Sequence, residues 1–199
     1  MTIKISDRII VGISGASGTI YGIRALQMLR EMGIESHLVM SQPARMTAAY
    51  ESPLGPKQIE SLADHVYGAQ DVGAAISSGS FKTLGMLVAP CSMRSLSEIA
   101  TGVTTGLLTR AADVVLKERR RLVLMVRETP LHTGHLRNMT AASEIGAVIY
   151  PPVPAFYSEP ETLDDMVTQT VARALDLFGL DAPEAKRWGE DLGKSKDGF

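Results

Sequence analysis

The sequence predicts an α/β protein: a three-layer sandwich in which helices cover both faces of a mostly parallel β-sheet. Short apolar runs alternate with amphipathic runs along the chain of 199 residues, which is the pattern of repeated strand–helix units. A content of 45% hydrophobic and 21% charged residues is that of a globular protein with a sizeable core. Because no repeat, linker or shift in composition marks a boundary, we expect one domain over residues 1–199.

The elements follow from the spacing of the apolar residues. Short apolar runs predict strands at residues 8–13, 35–40, 65–67, 84–89, 122–126 and 147–150. Apolar residues at helical spacing predict helices at residues 18–32, 42–51, 56–65, 95–100, 106–120, 132–145 and 162–178. Gly33 and Gly146 are natural stops for two of these helices, and Pro56 is a natural start for another.

A Gly- and Ser-rich loop joins the first predicted strand to the first predicted helix. Its backbone N–H groups and the helix dipole favour an anion, and its glycines allow close approach of a phosphate. The spacing of Gly12, Gly15 and Gly18 is neither the dinucleotide fingerprint nor the P-loop. Ser41 stands where an NAD-binding Rossmann protein usually carries Asp or Glu, which argues against NAD. A phosphate cradle and a tight turn without a ligand both remain open from this loop alone.

Ligands of open parallel sheets bind beyond the carboxyl ends of the strands. The segments at those ends are residues 14–19, 41, 91–95, 127–128 and 151–157. They contain hydroxyls, two arginines and one carboxylate, which suits a site for one or two phosphate esters. His132 and His135 have spacing suitable for metal ligands, but the chain offers no further ligand cluster beside them, and we predict no metal site. Taken alone, Lys117, Glu128, Tyr157 and Arg173 are ordinary surface side chains.

Composition limits the partners and the compartment. The net charge of −2 gives no general attraction to nucleic acid or to an anionic membrane. The single cysteine, Cys91, is typical of a reducing compartment. The sequence has no signal-peptide pattern and no apolar run near the ~20 residues of a membrane span. We therefore expect a soluble cytoplasmic protein.

Five motifs, in one continuous order, resemble those of the UbiX-type flavin prenyltransferases. They are residues 11–22, 90–95, 106–118 (GLLTRAADVVLKE), 127–131 (RETPL) and 151–157 (PPVPAFY), and the resemblance extends over roughly residues 7–190. It implies a Rossmann-like, flavodoxin-like fold and a single flavin-binding domain. It also implies a homododecamer, in which we expect the C-terminal helix and tail, about residues 162–199, to pack on neighbouring subunits.

The resemblance also implies a reaction. A dimethylallyl group passes from dimethylallyl monophosphate to N5 and C6 of reduced FMN without a metal. The product, prenylated FMN, serves a UbiD-type decarboxylase, and the family has a part in ubiquinone biosynthesis. The sequence does not decide between a monophosphate and a diphosphate donor.

Residues that match the family's motifs receive roles from the resemblance. The positions similar to FMN contacts are Gly15, Ala16, Ser17, Ser41, Ser92, Met93, Arg94, Ser95 and Arg127. The positions similar to contacts of the prenyl phosphate are Tyr157, Arg173, Lys117, Arg127 and Glu128. The catalytic candidates are Glu128, Lys117, Glu51, Ser17 and Trp188. Cationic side chains would stabilise the departing phosphate, and aromatic faces would shelter an allyl cation.

The chain departs from the family pattern at three positions. The turn that usually reads Cys-Ser-(Met/Ile)-Lys-Thr has Arg94 and Ser95 at its last two positions. Tyr150 stands where many members carry methionine. Two other functions compete with prenyl transfer. A flavin-dependent cysteine decarboxylase would need a histidine in the first loop, which is absent, and a non-catalytic flavin-binding oligomer would not need Lys117 or Glu128.

Overall fold

Six parallel strands form a single sheet in the computed structural model, which describes residues 7–187. The strands are β1 (Arg8–Ile13), β2 (Glu35–Met40), β3 (His65–Tyr67), β4 (Gly85–Cys91), β5 (Arg121–Val126) and β6 (Ala147–Ile149). Their order across the sheet is β3-β2-β1-β4-β5-β6. The strand order reverses between β1 and β4, and a ligand crevice is expected at the carboxyl ends of the strands at such a point.

Seven helices cover the two faces of the sheet within residues 7–187. They are α1 (Thr19–Glu31), α2 (Gln42–Glu51), α3 (Pro56–Glu60), α4 (Met93–Thr101), α5 (Leu107–Lys117), α6 (Thr133–Glu144) and α7 (Leu163–Asp176). Two 3₁₀ turns, Ala75–Ser77 and Phe156–Ser158, lie in the connections. The predicted three-layer α/β fold is confirmed, and the helix predicted at 106–120 ends early because Arg119 adopts a left-handed conformation with φ of 57°.

Alternate residues of the strands build two separate apolar layers. Ile9, Val11 and Ile13 of β1 point to the face covered by α1 and α7, whereas Ile10 points to the face covered by α4, α5 and α6. Helix α7 buries Val171 against the helices of its own chain. The expected packing of residues 162–199 on neighbouring subunits stays a prediction. Among the described helices, none has the length and apolar character needed to cross a membrane.

Gly85, the first residue of β4, gives a prediction about stability. Its φ is +151°, and a Cβ at this position would lie 2.0 Å from the backbone oxygen of Arg121 on the neighbouring strand. Gly33 is the matched control, since its φ is +69° but a Cβ there would meet nothing within 4 Å. We expect Gly33→Ala to lower the free energy of unfolding by about 1–2 kcal/mol. Gly85→Ala should lower the free energy of unfolding by clearly more than this, because the added Cβ would force β4 and β5 apart. Equal urea midpoints for the two variants would contradict this.

Candidate active site

A pocket of about 360 Å³ opens at the carboxyl ends of β1, β2 and β4. This volume lies within the range of small-molecule sites, roughly 300–1,000 Å³. Five residues predicted to contact FMN line it: Gly15, Ser41, Ser92, Arg94 and Ser95. Further lining residues were missed by the sequence analysis, among them Gln42, Gln70, Glu98, Thr105 and Thr109. Among these, only Glu98 could have been found from the sequence, because it follows Arg94 by four residues on one helix and this spacing favours an ion pair.

Ser14 joins the loop after β1 to the turn between β4 and α4. Its buried hydroxyl donates to the backbone oxygen of Pro90 at 2.8 Å and accepts from the backbone N–H of Ser92 at 2.7 Å. The next residue, Gly15, must be a glycine, because a Cβ would lie 2.4 Å from the Cβ of Pro43. The first loop, the start of α2 and the turn before α4 are therefore held in fixed relative positions around the pocket.

Two helices begin at the pocket with serine caps. The Ser41 hydroxyl accepts from the backbone N–H of Ala44 at 3.2 Å, at the start of α2. The Ser92 hydroxyl accepts from the backbone N–H of Ser95 at 3.3 Å, at the start of α4. Helix N-termini carry partial positive charge, and Arg94 adds a full charge. This combination suits an anionic group such as the phosphate of a flavin mononucleotide.

Glu51 provides the N-terminal cap that helix α1 lacks locally. The cap residue of this helix is Gly18, with φ of +104° and no side chain. The Glu51 carboxylate accepts from the backbone N–H of Gly18 at 2.8 Å and of Thr19 at 3.4 Å, and it also accepts a hydrogen bond from Ser17. Burial raises the pKa of Glu51, but these hydrogen bonds and the nearby Arg127 guanidinium together lower it below its ordinary value. Three predicted site residues, Ser17, Glu51 and Arg127, are thus neighbours.

We expect Glu51→Gln to destabilise the protein at neutral pH by about 0.5–2 kcal/mol, the usual cost of losing a cap. A carboxylate whose pKa is lowered by folding contributes stability above its unfolded pKa of about 4.3 and loses it as the pH falls through the folded value. The difference between wild type and Glu51→Gln should therefore shrink below about pH 4. Thermal unfolding of both proteins between pH 3 and 8 measures this difference in stability. Glu31→Gln, at the other end of α1, is the control and should not destabilise. A difference that does not change with pH would contradict the capping role.

Arg127 and Glu128 directly follow β5 at the same edge of the sheet. The backbone N–H of Arg127 donates to the oxygen of Cys91 at 3.1 Å, which holds this segment beside the turn before α4. Glu128 accepts from the backbone N–H of Thr129 at 3.1 Å. Both side chains are exposed in the single chain. The guanidinium of Arg127 also acts on Tyr21: burial raises the pKa of this phenol, and Arg127 partly opposes the change.

A second cluster brings together Tyr157 and Arg173, the residues predicted to hold the prenyl phosphate. Tyr150 lies close enough to both to be affected by their charges. The pKa of the Tyr150 hydroxyl is raised, chiefly by burial; Arg173 opposes this change, whereas Tyr157 and Asp176 add to it. The Tyr150 hydroxyl donates to the backbone oxygen of Thr170 at 3.0 Å, one turn before Arg173 on α7. Arg173 pairs with Asp176. Tyr150 therefore fixes α7 to the end of β6.

Lys117 does not join these residues within one chain. It is the last residue of α5, pairs with Glu118 and lies beside Gly79, near the amino end of β5. Arg127 follows the other end of β5, and six residues at about 3.3 Å each separate the two ends by roughly 20 Å. Trp188, the remaining catalytic candidate, lies outside the described residues.

Three histidines among the described residues, His37, His65 and His132, make local contacts. His132 caps α6, with its Nδ1 accepting from the backbone N–H of Gly134 at 3.0 Å. Glu35, His37 and His65 form a group with possible metal-ligand atoms within 4.8 Å of one another, at the amino ends of β2 and β3. The two imidazole rings are stacked, with centroids 4.7 Å apart and planes inclined by 14°, and their Nε2 atoms lie 2.9 Å (His37) and 3.3 Å (His65) from Glu35 Oε1. The group is a hydrogen-bonded cluster away from the pocket.

Comparisons with known proteins agree with this architecture. The Flavoprotein family model matches residues 3–174. The flavin prenyltransferase UbiX of Escherichia coli K12 is 62% identical over 178 residues, covering 89% of this chain and 94% of the relative. A probable UbiX-like flavin prenyltransferase of Bacillus subtilis is 52% identical over 191 residues, covering 96% of this chain and 93% of the relative.

Solved structures give the same result. The structure of AnUbiX in complex with FMN and dimethylallyl pyrophosphate superposes with a TM-score of 0.90 at 49% identity, covering 92% of this chain and 97% of that chain. A dodecameric FMN-dependent Ubix-like decarboxylase from Escherichia coli O157:H7 gives 0.88 at 53% identity, covering 91% and 98%. The FMN-dependent cysteine decarboxylase TvaF, at 16% identity and 0.62, shares the fold alone. With these identities extending over nearly its whole length, the chain belongs to the UbiX-type flavin prenyltransferases.

Proposed function

We propose that this protein joins the dimethylallyl group of dimethylallyl monophosphate to N5 and C6 of reduced FMN, without a metal, and that the product serves a UbiD-type decarboxylase. The observation that carries the proposal is the convergence of Ser17, Glu51 and Arg127 beside the pocket with the serine-capped helices. The pocket suits the flavin phosphate, and the three neighbours supply a hydroxyl, a carboxylate and a cation for chemistry on the ring.

Different residues serve different steps of the proposed reaction. Reduced FMN supplies nucleophilic N5 and C6 when bound. Cleavage of the allyl–oxygen bond leaves phosphate, whose growing negative charge Arg127 and Arg173 are suited to stabilise. Glu128 supplies a proton to an oxygen of the leaving phosphate. Ring closure consumes the C=C bond of the transferred dimethylallyl group: its tertiary carbon bonds to C6, the neighbouring alkene carbon gains a proton, and C6 loses one. Glu51 is ionised at neutral pH, because its pKa is lowered, and can accept the proton from C6.

The location of Lys117 supports an oligomeric site. Within one chain it lies at the far edge of the sheet from Arg127, so it can reach a donor phosphate only from a neighbouring copy. Val153, Phe156 and Leu163 are 71%, 72% and 79% exposed near the start of α7, and such apolar surface is typical of an interface. We propose a homododecamer, by analogy with the dodecameric Ubix-like decarboxylase from Escherichia coli O157:H7. We also propose a cytoplasmic location, supported by the single cysteine.

A direct assay tests the proposed reaction. The purified protein is incubated anaerobically with reduced FMN and dimethylallyl monophosphate in the presence of a chelator, and the flavin is analysed by mass spectrometry. We expect prenylated flavin and inorganic phosphate in equal amounts. A parallel reaction with the diphosphate compares the two donors. Recovery of unmodified FMN alone from both reactions would refute the proposal.

A further inference from the structure

A carboxylate lines the pocket in which the proposed function places an anionic flavin phosphate. Glu98, on α4, is one of the lining residues, and its side chain is only 15% exposed. A carboxylate beside a bound phosphate is repelled by it, unless nearby donors or cations pair with the carboxylate. The contacts of Glu98 explain how this charge is used.

Glu98 connects three segments of the pocket wall. Its Oε1 accepts from Nε of Arg94 at 3.0 Å, and its Oε2 accepts from the Thr105 hydroxyl at 2.7 Å. The Thr109 side chain also donates to it. Burial raises the pKa of Glu98, but the hydrogen bonds from Thr105, Arg94 and Thr109 lower it below its ordinary value. The ionised carboxylate therefore ties the first turn of α4 to the loop before α5 and to the first turn of α5.

The bond to Glu98 leaves most of the Arg94 guanidinium available. Arg94 is 74% exposed, and an unrestrained arginine loses considerable side-chain entropy when it binds a ligand. Glu98 occupies Nε alone, so the two Nη groups can still donate to a phosphate. A lysine has only one nitrogen, which Glu98 would engage directly. An arginine at position 94 therefore fits the presence of Glu98 better than a lysine would.

We propose that Glu98 is a positioning residue for flavin phosphate recognition, which holds the Arg94 guanidinium at the pocket through its Nε. The inference rests on the proposed function, since it takes the pocket as the FMN site. The effects of Arg94 and Glu98 on FMN binding should therefore depend on each other, because the charge of Glu98 holds the arginine and the shape of the arginine leaves its Nη groups available.

A double-mutant cycle with two flavins tests the proposal. The dissociation constants of FMN and riboflavin are measured by quenching of flavin fluorescence for wild type, Arg94→Lys, Glu98→Gln and the double variant. We expect Glu98→Gln to weaken FMN binding about tenfold, as for loss of a charged hydrogen bond. Riboflavin, which has no phosphate, should change less than about threefold. Arg94→Lys should cost less FMN affinity in the Glu98→Gln background than in wild type.

The controls separate positioning from folding. Glu60→Gln removes a carboxylate of an Arg45 ion pair outside the pocket and should leave both dissociation constants unchanged. Equal losses for FMN and riboflavin, or additive effects of the two substitutions, would overturn the positioning role. Failure of the proposed function is distinguishable, since it would appear as unmodified FMN in the mass-spectrometric assay, whereas the dissociation constants test only recognition of the flavin phosphate.

Discussion

Replacing Glu128 with Gln is expected to slow formation of prenylated flavin by about 10²–10⁴-fold, the usual contribution of a general acid. The amide has the same shape as the carboxyl group but cannot give a proton to the departing phosphate. Glu128 follows β5 next to Arg127, and within residues 7–187 its hydrogen bond is a local one from the backbone N–H of Thr129 at 3.1 Å, so the fold of this part does not depend on its charge. The dissociation constant of FMN should remain within about threefold of the wild-type value.

Single-turnover measurements with saturating FMN and donor give the rate of the chemical step directly. Glu128→Asp is the informative second variant: it keeps the acid but shortens its reach, so its rate should fall between those of wild type and Glu128→Gln. Glu60→Gln, which changes the carboxylate of an Arg45 ion pair outside the pocket, controls for a general loss of negative charge. A Glu128→Gln protein with the wild-type rate would remove this residue from the mechanism.

The parts of the site that could be predicted from sequence are those that local rules determine. Ser41 and Ser92 directly follow strands and begin helices, and both capping and position at a strand end can be recognised from a few neighbouring residues. The lack of an acidic residue at position 41 argued against a dinucleotide, because the ribose contact in that class also follows a strand.

The parts that escaped prediction depend on contacts between distant segments. Glu51 caps a helix that begins more than thirty residues earlier in the chain, so no local pattern could reveal the bond to Gly18. Glu98 resembles an ordinary surface partner of Arg94 until the loop containing Thr105 folds against it. Lys117 belongs to a motif shared with the family, but a motif does not indicate the edge of the sheet at which its side chain lies.

Activity of mixed oligomers is expected to recover when Lys117→Ala and Glu128→Gln chains are assembled together. Lys117 and Glu128 lie at opposite ends of β5, roughly 20 Å apart, so one chain cannot bring both to one phosphate. If Lys117 acts on the donor, it acts from a second copy. Lys117→Ala alone should lose about 10²-fold in rate, because a cation at the leaving group is missing.

When the two variant chains assemble together in equal amounts, some of the resulting sites contain both intact residues. An intact site needs Lys117 from one chain and Glu128 from another, and each position has even odds of the required chain. About a quarter of the sites should therefore be fully active in a randomly mixed symmetric assembly. Co-expression with two different affinity tags isolates the mixed species, and mixing the separately assembled homo-oligomers without exchange is the control. A co-expressed mixture as slow as two slow parents would mean that Lys117 and Glu128 act from the same chain, which contradicts the expected arrangement. A Lys117→Ala protein with the wild-type rate would place Lys117 outside the site, at the amino end of β5, where it pairs with Glu118.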